Sequence, residues 1–547
     1  MKHFLKTLAV LCLANVTSFA VHPKIAHDLH INDASEMVDV IVEFKQQATE
    51  SNHRKMRGKG GFLRATLHSI KASVYSIPAG ELERLADDPD VEFISPDRKV
   101  QGLADVTRQA VNTAAAWQLG FTGKGIGVAV IDSGVDGMDG MSGSGRVVYS
   151  ENFVAGASDA LDHYGHGTHV AGLIAGNGVL SKGKYKGLAP DVNIINLRVL
   201  DANASGTDSA VIAAIQRAIA LKSAYNIRII NLSLGRPIVT SYKTDPLCKA
   251  VESAWKAGIV VVAAAGNEGR NDSNHTSGYG TIISPGNDPF VITVGAMKTA
   301  STAGRDDDMI ASYSSKGPTL IDHVAKPDLV APGNRVVSVK LNMNSLMESQ
   351  FPANEVTGDY FTLSGTSMAA PVVSAAAAIL LQKNPSLTPD QVKARLMKSA
   401  SKRFPQSSTA IDPITKKSYT SHYDIFTIGA GYLDIAAALA NTDISPLSAN
   451  SPNAIIDPLT HIVRLDVNGK NLVWGYNVVW GDNVVWGDNV VWAGNVVWGD
   501  FVLWGYNVEW GDSAVQGYSV VWGDKAVFGA GTQDSAEAVG VAINGEQ

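Results

Sequence analysis

Cysteine is nearly absent from this chain. Its 547 residues hold two, Cys12 and Cys248, and Cys12 falls in an N-terminal stretch that reads as a removable leader, so the mature chain can form no internal disulfide. No motif surrounds Cys248, and its thiol reads as a buried structural residue. Basic runs are scarce as well. With 45 Lys and Arg against 52 Asp and Glu the formal charge is −7, and no basic cluster exceeds His53 to Lys59, which argues against a nucleic-acid partner. Long apolar runs are the third absence. The stretch from Leu8 to Val16, with Lys2 and Lys6 before it and Ser18-Phe19-Ala20 after it, is too short to span a membrane and has the build of a secretory signal peptide over residues 1–20. Beyond it no apolar stretch reaches about eighteen residues, so no transmembrane segment is expected and the location reads as extracellular.

The chemistry is concentrated in a few short stretches. Thr362 to Pro371 reads Thr-Leu-Ser-Gly-Thr-Ser-Met-Ala-Ala-Pro, and the uncharged run Met368 to Leu381 that follows predicts a buried helix with Ser367 in its first turn. Backbone N–H groups at a helix start lack partners and favour negative charge, so an oxyanion forming beside Ser367 would be stabilised there. A serine that merely caps the helix is the alternative. Its partners favour chemistry. The apolar run Gly127 to Ile131 ends in Asp132-Ser133-Gly134, and His166 opens a predicted helix to Ala175, giving the chain order Asp, His, Ser.

Four segments, Val-Ala-Val-Ile-Asp-Ser-Gly (128–134), His-Gly-Thr-His-Val-Ala-Gly (166–172), Ala-Ala-Gly-Asn (264–267) and Gly-Thr-Ser-Met-Ala-Ala-Pro (365–371), closely resemble the signatures of the subtilisin-like serine proteases. The resemblance implies a serine endopeptidase with Asp132, His166 and Ser367 as catalytic residues and Asn267 as oxyanion donor. His169, one turn along the same helix, would point away from Ser367. The resemblance also implies a groove for polypeptide substrates, with Ser233, Leu234 and Gly235 on one side and Ala204, Ser205 and Gly206 on the other. Ala264, Ala265 and Gly266, with Ile283 to Pro285, would wall an uncharged first pocket. Arg236 departs from the pattern, standing where the family usually has a second glycine. No cofactor is expected. Many relatives hold structural calcium after the motif aspartate and after the histidine helix, but here those places read Asp139-Gly140-Met141 and Asn177 to Tyr185, the latter basic and without acids, so the usual site is not matched. The triplet Asp306-Asp307-Asp308 is either a different calcium site or, more simply, an exposed acidic loop.

The organisation follows. Residues 21–103 alternate as β-α-β-β-α-β, the ferredoxin-like α+β order, and resemble the inhibitory propeptides of this family. The helix is expected over about Gln46 to Met56 and the second strand over Arg64 to Ile70. Residues 104–442 alternate apolar strands with longer helices, which predicts an α/β domain with a parallel sheet covered by helices on both faces. From Leu472 a hexapeptide near Asn-Val-Val-Trp-Gly-Asp repeats, placing Trp474, Trp480, Trp486, Trp492, Trp498, Trp504, Trp510 and Trp522 in one phase, with Gln516 and Phe528 in the same register. A period of six is even, so an extended chain would send each of these side chains to one face. Residues 443–547 carry twelve Asp and Glu against three Lys and Arg, a balance of −9. This tail is expected to form β-structure of its own, to contact a surface or to self-associate; a surface attachment protein built around it is the rival to the secreted, self-processing protease.

Overall fold

The computed structural model describes residues 22–97 (except 27, 28 and 30–32), 106–136, 145–272, 276–341, 345–412, 415–445, 448–456 and 463–466, four fragments between 472 and 499, and Glu546. The signal-peptide stretch, the expected propeptide junction, Asp139 and most of the tryptophan repeats lie outside the described residues.

The chain divides into two compact units, Met1–Gly102 and Leu103–Gln547. In the first, β1 (Met37–Phe44), α1 (Glu50–Gly58), β2 (Phe62–Leu67), β3 (Ala72–Pro78), α2 (Leu82–Ala86) and β4 (Val91–Pro96) follow one another. They form an antiparallel sheet in the order β2-β3-β1-β4. Val40, Val42 and Phe44 of β1 alternate inward and meet Met56, Tyr75, Ile77, Leu82, Leu85 and Ile94 in one core, as a period of two requires. Two boundaries differ from the sequence expectation. The first helix starts at Glu50 rather than Gln46, because extended Thr49 donates its N–H to Asn52 Oδ1 (2.9 Å) and so caps the helix there. The second strand ends at Leu67, since His68–Ile70 turn into a 3-10 helix that stops at left-handed Lys71.

In the second unit, α3 (Thr107–Ala110) and α4 (Thr113–Gln118) lead into β5 (Gly127–Asp132) and β6 (Val147–Asn152), and then α5 (His166–Ala175), β7 (Asn193–Arg198), α6 (Asp208–Tyr225), β8 (Ile227–Leu232), α7 (Pro246–Lys256), β9 (Val260–Ala264) and β10 (Ile292–Lys298). β11 (Met309–Ile310) and β12 (Leu329–Pro332) complete a sheet in the order β11-β10-β9-β8-β5-β7-β6, with β12 also on β10; β11 is its antiparallel strand. Every residue of β5 and β9 is buried, which is why they read as unbroken apolar runs. Helices α6 and α7 pack on each other and on the sheet. Helix α5 does the same with α9 (Thr366–Lys383), which follows the small sheet of β13 (Val336–Val339), β14 (Glu355–Thr357) and β15 (Tyr360–Leu363) and the short α8 (Leu346–Gln350). By length and composition α9 is the described helix that could cross a membrane, but its apolar window is 83% buried within the domain, and it is the core helix of the fold. α10 (Pro389–Ser399), the hairpin β16 (Ser407–Ile411) with β17 (Ser418–His422), α11 (Ile425–Ile428) and α12 (Ile435–Ala440) follow. Because β5, β7, β8 and β9 run parallel, their C-terminal ends share one edge, and Asp132, Arg198, Ser233 and Ala264 sit at or next to those ends.

Of the tail, β18 (Asn453–Ile456) pairs with β19 (Val463–Asp466), and the fragments Leu472–Trp474 with Asn477–Trp480 and Asn483–Val484 with Trp498–Gly499 are paired antiparallel strands.

Candidate active site

Asp132 ends β5 fully buried, and its Oδ1 accepts from Ser133 N (2.8 Å) and pairs with His166 Nδ1 (2.7 Å). His166 is the first residue of α5 and keeps 18% of its side chain exposed. Burial opposes the imidazolium, but the charge of Asp132 and its hydrogen bond outweigh that, with Asp162 adding to them, and the imidazole pKa lies above its ordinary value. Gly167 is required beside this pair: a Cβ there would sit 2.2 Å from the Gly134 carbonyl oxygen and 3.1 Å from Asp132 Cβ. His169 is buried and its Nε2 bonds the Phe361 carbonyl (3.0 Å), away from Asp132. Burial pushes its pKa down to about 3, so the ring is neutral.

Asp162 is a member of this site that the sequence reading missed. It is fully buried, and its carboxylate accepts from Ser133 Oγ (2.9 Å), Tyr164 N (2.9 Å), Gly165 N (2.8 Å) and Thr168 N (2.8 Å). Ser133 Oγ in turn accepts from Gly167 N (2.9 Å). The N-cap residue Gly165 has no side chain to satisfy the helix's first N–H groups, so Asp162 supplies the acceptor from upstream. A lone Asp in Leu-Asp-His-Tyr-Gly-His carries no sequence signal for that role.

Helix α9 begins after Gly365, whose φ of +138° no other residue adopts comfortably. Ser367 is its second residue, and the N-cap is Gly365 rather than the serine. The serine hydroxyl donates to the Ser233 carbonyl (3.0 Å), and Ser233 Oγ donates to the Ser367 carbonyl (2.7 Å). The second bond has a cause in the sequence: Pro371, four residues on, has no N–H to give that carbonyl. Asn267 Oδ1 accepts from Thr366 N (2.9 Å) and Thr366 Oγ1 (3.1 Å), while Thr366 Oγ1 accepts from Gly266 N (3.1 Å). This fixes the amide so that its Nδ2 faces Gly365, 3.2 Å from where a Cβ would start.

Around this centre, Ala204, Ser205 and Gly206 form a turn before α6, with Asp201 N bonded to the Ser205 carbonyl (2.8 Å) and Ala204 at φ +58°. On the other side Ser233 is buried, Leu234 half-buried and Gly235 exposed. A side chain on Gly235 would meet Ile283 Cδ1 and the Ser284 carbonyl, both at 2.6 Å. Ala264, Ala265 and Gly266 are buried, and Ala265 O accepts from Ile283 N (3.1 Å). Arg236 pairs main chain to main chain with Ser284. Its guanidinium is forked onto Asp208 and also holds Asp245 Oδ1 (2.8 Å), a fully buried carboxylate.

The sequence profile of the Subtilase family matches residues 123–426 and spans all of these positions. The chain belongs to the subtilase family. It is 35% identical to Serine protease AprX of Bacillus subtilis (strain 168) over 67% of its own length and 83% of the relative's. It is 34% identical to Subtilisin E of the same organism over 66% and 84%. A solved cold adapted subtilisin-like serine proteinase shares 34% identity over 51% of this chain and 84% of its own, at a TM-score of 0.39. This subtilase is therefore a subtilisin-type serine peptidase with the subtilisin-like α/β fold.

Two places considered for calcium resolve differently. In the loop after α5 of this subtilase the carbonyls of Gly183 and Lys184 face a guanidinium, Arg108 Nη2, at 3.4 and 2.6 Å. A carbonyl pair already serving a fixed cation, with lysines on either side, does not fit the oxygen cage calcium needs. In the other triplet Asp306 and Asp307 are exposed, but Asp308 is buried and accepts from Tyr432 Oη (2.7 Å). The expectation of an exposed loop thus fails at its third residue, because Tyr432, from the segment between α11 and α12, covers it. Cys248 is buried, and burial raises its thiol pKa.

Proposed function

We propose that this subtilase is a secreted serine endopeptidase, made as a self-processing zymogen, with Asp132, His166 and Ser367 as its catalytic triad. The observation that carries the reading is the 2.7 Å pair of His166 Nδ1 with Asp132 Oδ1, on the sheet edge where Ser367 opens α9 beside Asn267. With Nδ1 engaged, the neutral imidazole offers Nε2 as the proton acceptor. Ser367 Oγ leaves the Ser233 carbonyl, gives its proton to His166 and attacks the scissile carbonyl carbon. The imidazolium, stabilised by Asp132, returns the proton to the leaving amine, and water repeats the sequence on the acyl-enzyme. Among the described residues no hydrogen bond joins Ser367 Oγ to His166, so substrate entry is the step that turns the hydroxyl.

The oxyanion is assigned to Asn267 Nδ2 and the Ser367 N–H, which both lie within 4 Å of the position a Gly365 Cβ would fill. In subtilisin, a member of the family, removing such a donor costs about 10²–10³ in kcat, and the same range is expected for Asn267→Ala. A peptide would add as a strand between Ala204-Ser205-Gly206 and Ser233-Leu234-Gly235, with its first side chain against Ala264, Ala265 and Gly266. Two carboxylates neutralise Arg236 at that rim, which supports an uncharged preference. Residues 1–20 are assigned as signal peptide, 21–103 as inhibitory propeptide cut near Leu103-Ala104, 104–442 as peptidase and 443–547 as linker and repeat tail.

An active-site fluorophosphonate tests the centre directly. Peptide mapping should find the label on Ser367, and Ser367→Ala and His166→Ala should abolish it. Labelling of a different serine would overturn the assignment.

A further inference from the structure

Glu546, the penultimate residue, is buried in the second unit with 6% of its surface exposed. One amide grips its main chain: Glu546 N donates to Asn334 Oδ1 (2.8 Å), and Asn334 Nδ2 donates to the Glu546 carbonyl (3.0 Å). Its carboxylate Oε1 accepts from Arg270 Nη2 (3.0 Å), from Ser312 N (2.8 Å) and from Ser312 Oγ. Arg270, Ser312 and Asn334 are themselves at most 5% exposed. Arg270 is also tied to Asp412 Oδ2 (2.9 Å), donates through Nε to Ser312 Oγ (2.6 Å) and lies over the Tyr419 ring. A buried guanidinium, two serine donors and an amide reading both main-chain groups make a site for an acidic side chain within a peptide, since a free acid could satisfy only half of it.

We propose that Arg270, Ser312 and Asn334 form a receptor for a peptide glutamate, and that the chain's own Glu546 fills it, latching the end of the tail to the peptidase domain. The start of the tail is held independently: Ser451 Oγ bonds Asp328 Oδ1 (2.6 Å), and the main chain of Pro452 and Ala454 pairs with Ala325 and His323. Residues 451–454 and Glu546 are thereby held on the same unit. The receptor also adjoins the candidate active site through the backbone. Gly333, next to Asn334, accepts from Gly365 N (2.8 Å), and Gly269, next to Arg270, donates to the Tyr313 carbonyl (2.8 Å), two residues beyond Asn267. The latch thus braces the two loops that carry Asn267 and Ser367, and it rests on its own contacts rather than on the triad assignment.

The test uses the full chain in a Ser367→Ala background shared by every variant compared, which prevents self-trimming if Ser367 is the nucleophile. A carboxypeptidase time course should release Glu546 slowly. Asn334→Ala, which leaves the terminal sequence untouched, should speed Glu546 release by about tenfold or more, the loss of one to two hydrogen bonds. Glu546→Ala should lower the melting temperature by about 3 °C. Equal Glu546 release in the folded Asn334→Ala protein would overturn the latch. If Asn334→Ala does not fold, an unchanged melting temperature for Glu546→Ala overturns it alone.

Discussion

Ser233 and Ser367 hold each other reciprocally: each hydroxyl donates to the other's carbonyl, at 2.7 Å from Ser233 and 3.0 Å from Ser367. The pair joins the end of β8 to the first turn of α9, and it exists because Pro371 leaves the Ser367 carbonyl without its helical partner. Asn231 Nδ2 donates to Ser233 Oγ (3.0 Å) and Ser374 Oγ to Asn231 Oδ1 (2.8 Å), extending the clasp into the core.

Ser233→Ala should therefore cost about 1–3 kcal/mol of stability, the penalty of an orphaned, half-buried carbonyl, and lower kcat. Pro371→Ala restores an N–H four residues on, so the double variant should recover part of that loss. Denaturant melts and a double-mutant cycle measure it, and strict additivity of the two changes would refute the coupling.

Ser367→Ala should abolish peptide hydrolysis and, because the same serine would cut the propeptide junction, leave the precursor uncut. His166→Ala should do nearly as much damage, and the double variant little more, since triad members act as a unit. Gel analysis of the secreted protein from a protease-deficient host reads the processing.

The activity profile should fall on its acid side through a pKa above the ordinary histidine value, because His166 as the proposed base must be neutral and Asp132 holds its proton more tightly. Asp132→Asn should move that limb to lower pH while reducing the rate by about 10⁴, the magnitude known for the same change in a chymotrypsin-type triad. A pH–rate profile of both proteins decides it.

Asp308 contributes the opposite kind of pH dependence. Burial pushes its carboxyl up to about 6 from 3.8. Below about pH 3 the group is protonated folded and unfolded alike. As pH rises towards 6 only the unfolded chain gives up its proton readily, so stability is lost over that window and stays lost above it. Asp308→Asn, which can still accept from Tyr432, should raise stability above pH 6 by about 1–3 kcal/mol and leave it unchanged near pH 3. Urea melts at the two pH values measure the difference.

Much of the fold was legible in the sequence, because the elements that position the candidate site announce themselves locally. Asp132 follows an apolar strand run, His166 opens a helix after glycine, and Gly365 with the Ala-rich run behind Ser367 marks the start of α9; each depends on neighbours within a few residues. The strand and helix order of both units followed for the same reason. Tertiary structure decided what depends on partners far apart in the chain. Asp162 caps α5 and backs Ser133 only once a loop folds over the sheet edge. Arg236, which departs from the family pattern in the sequence, meets its counter-charges Asp208 and Asp245 only in the fold. Asp308 is buried by Tyr432, 124 residues on, and Glu546 meets Arg270 across 276 residues. A side chain's period and its local neighbours are written in order along the chain, whereas burial of a charge and the identity of its counter-charge arise only when distant segments are packed together, and those fix its protonation and its role.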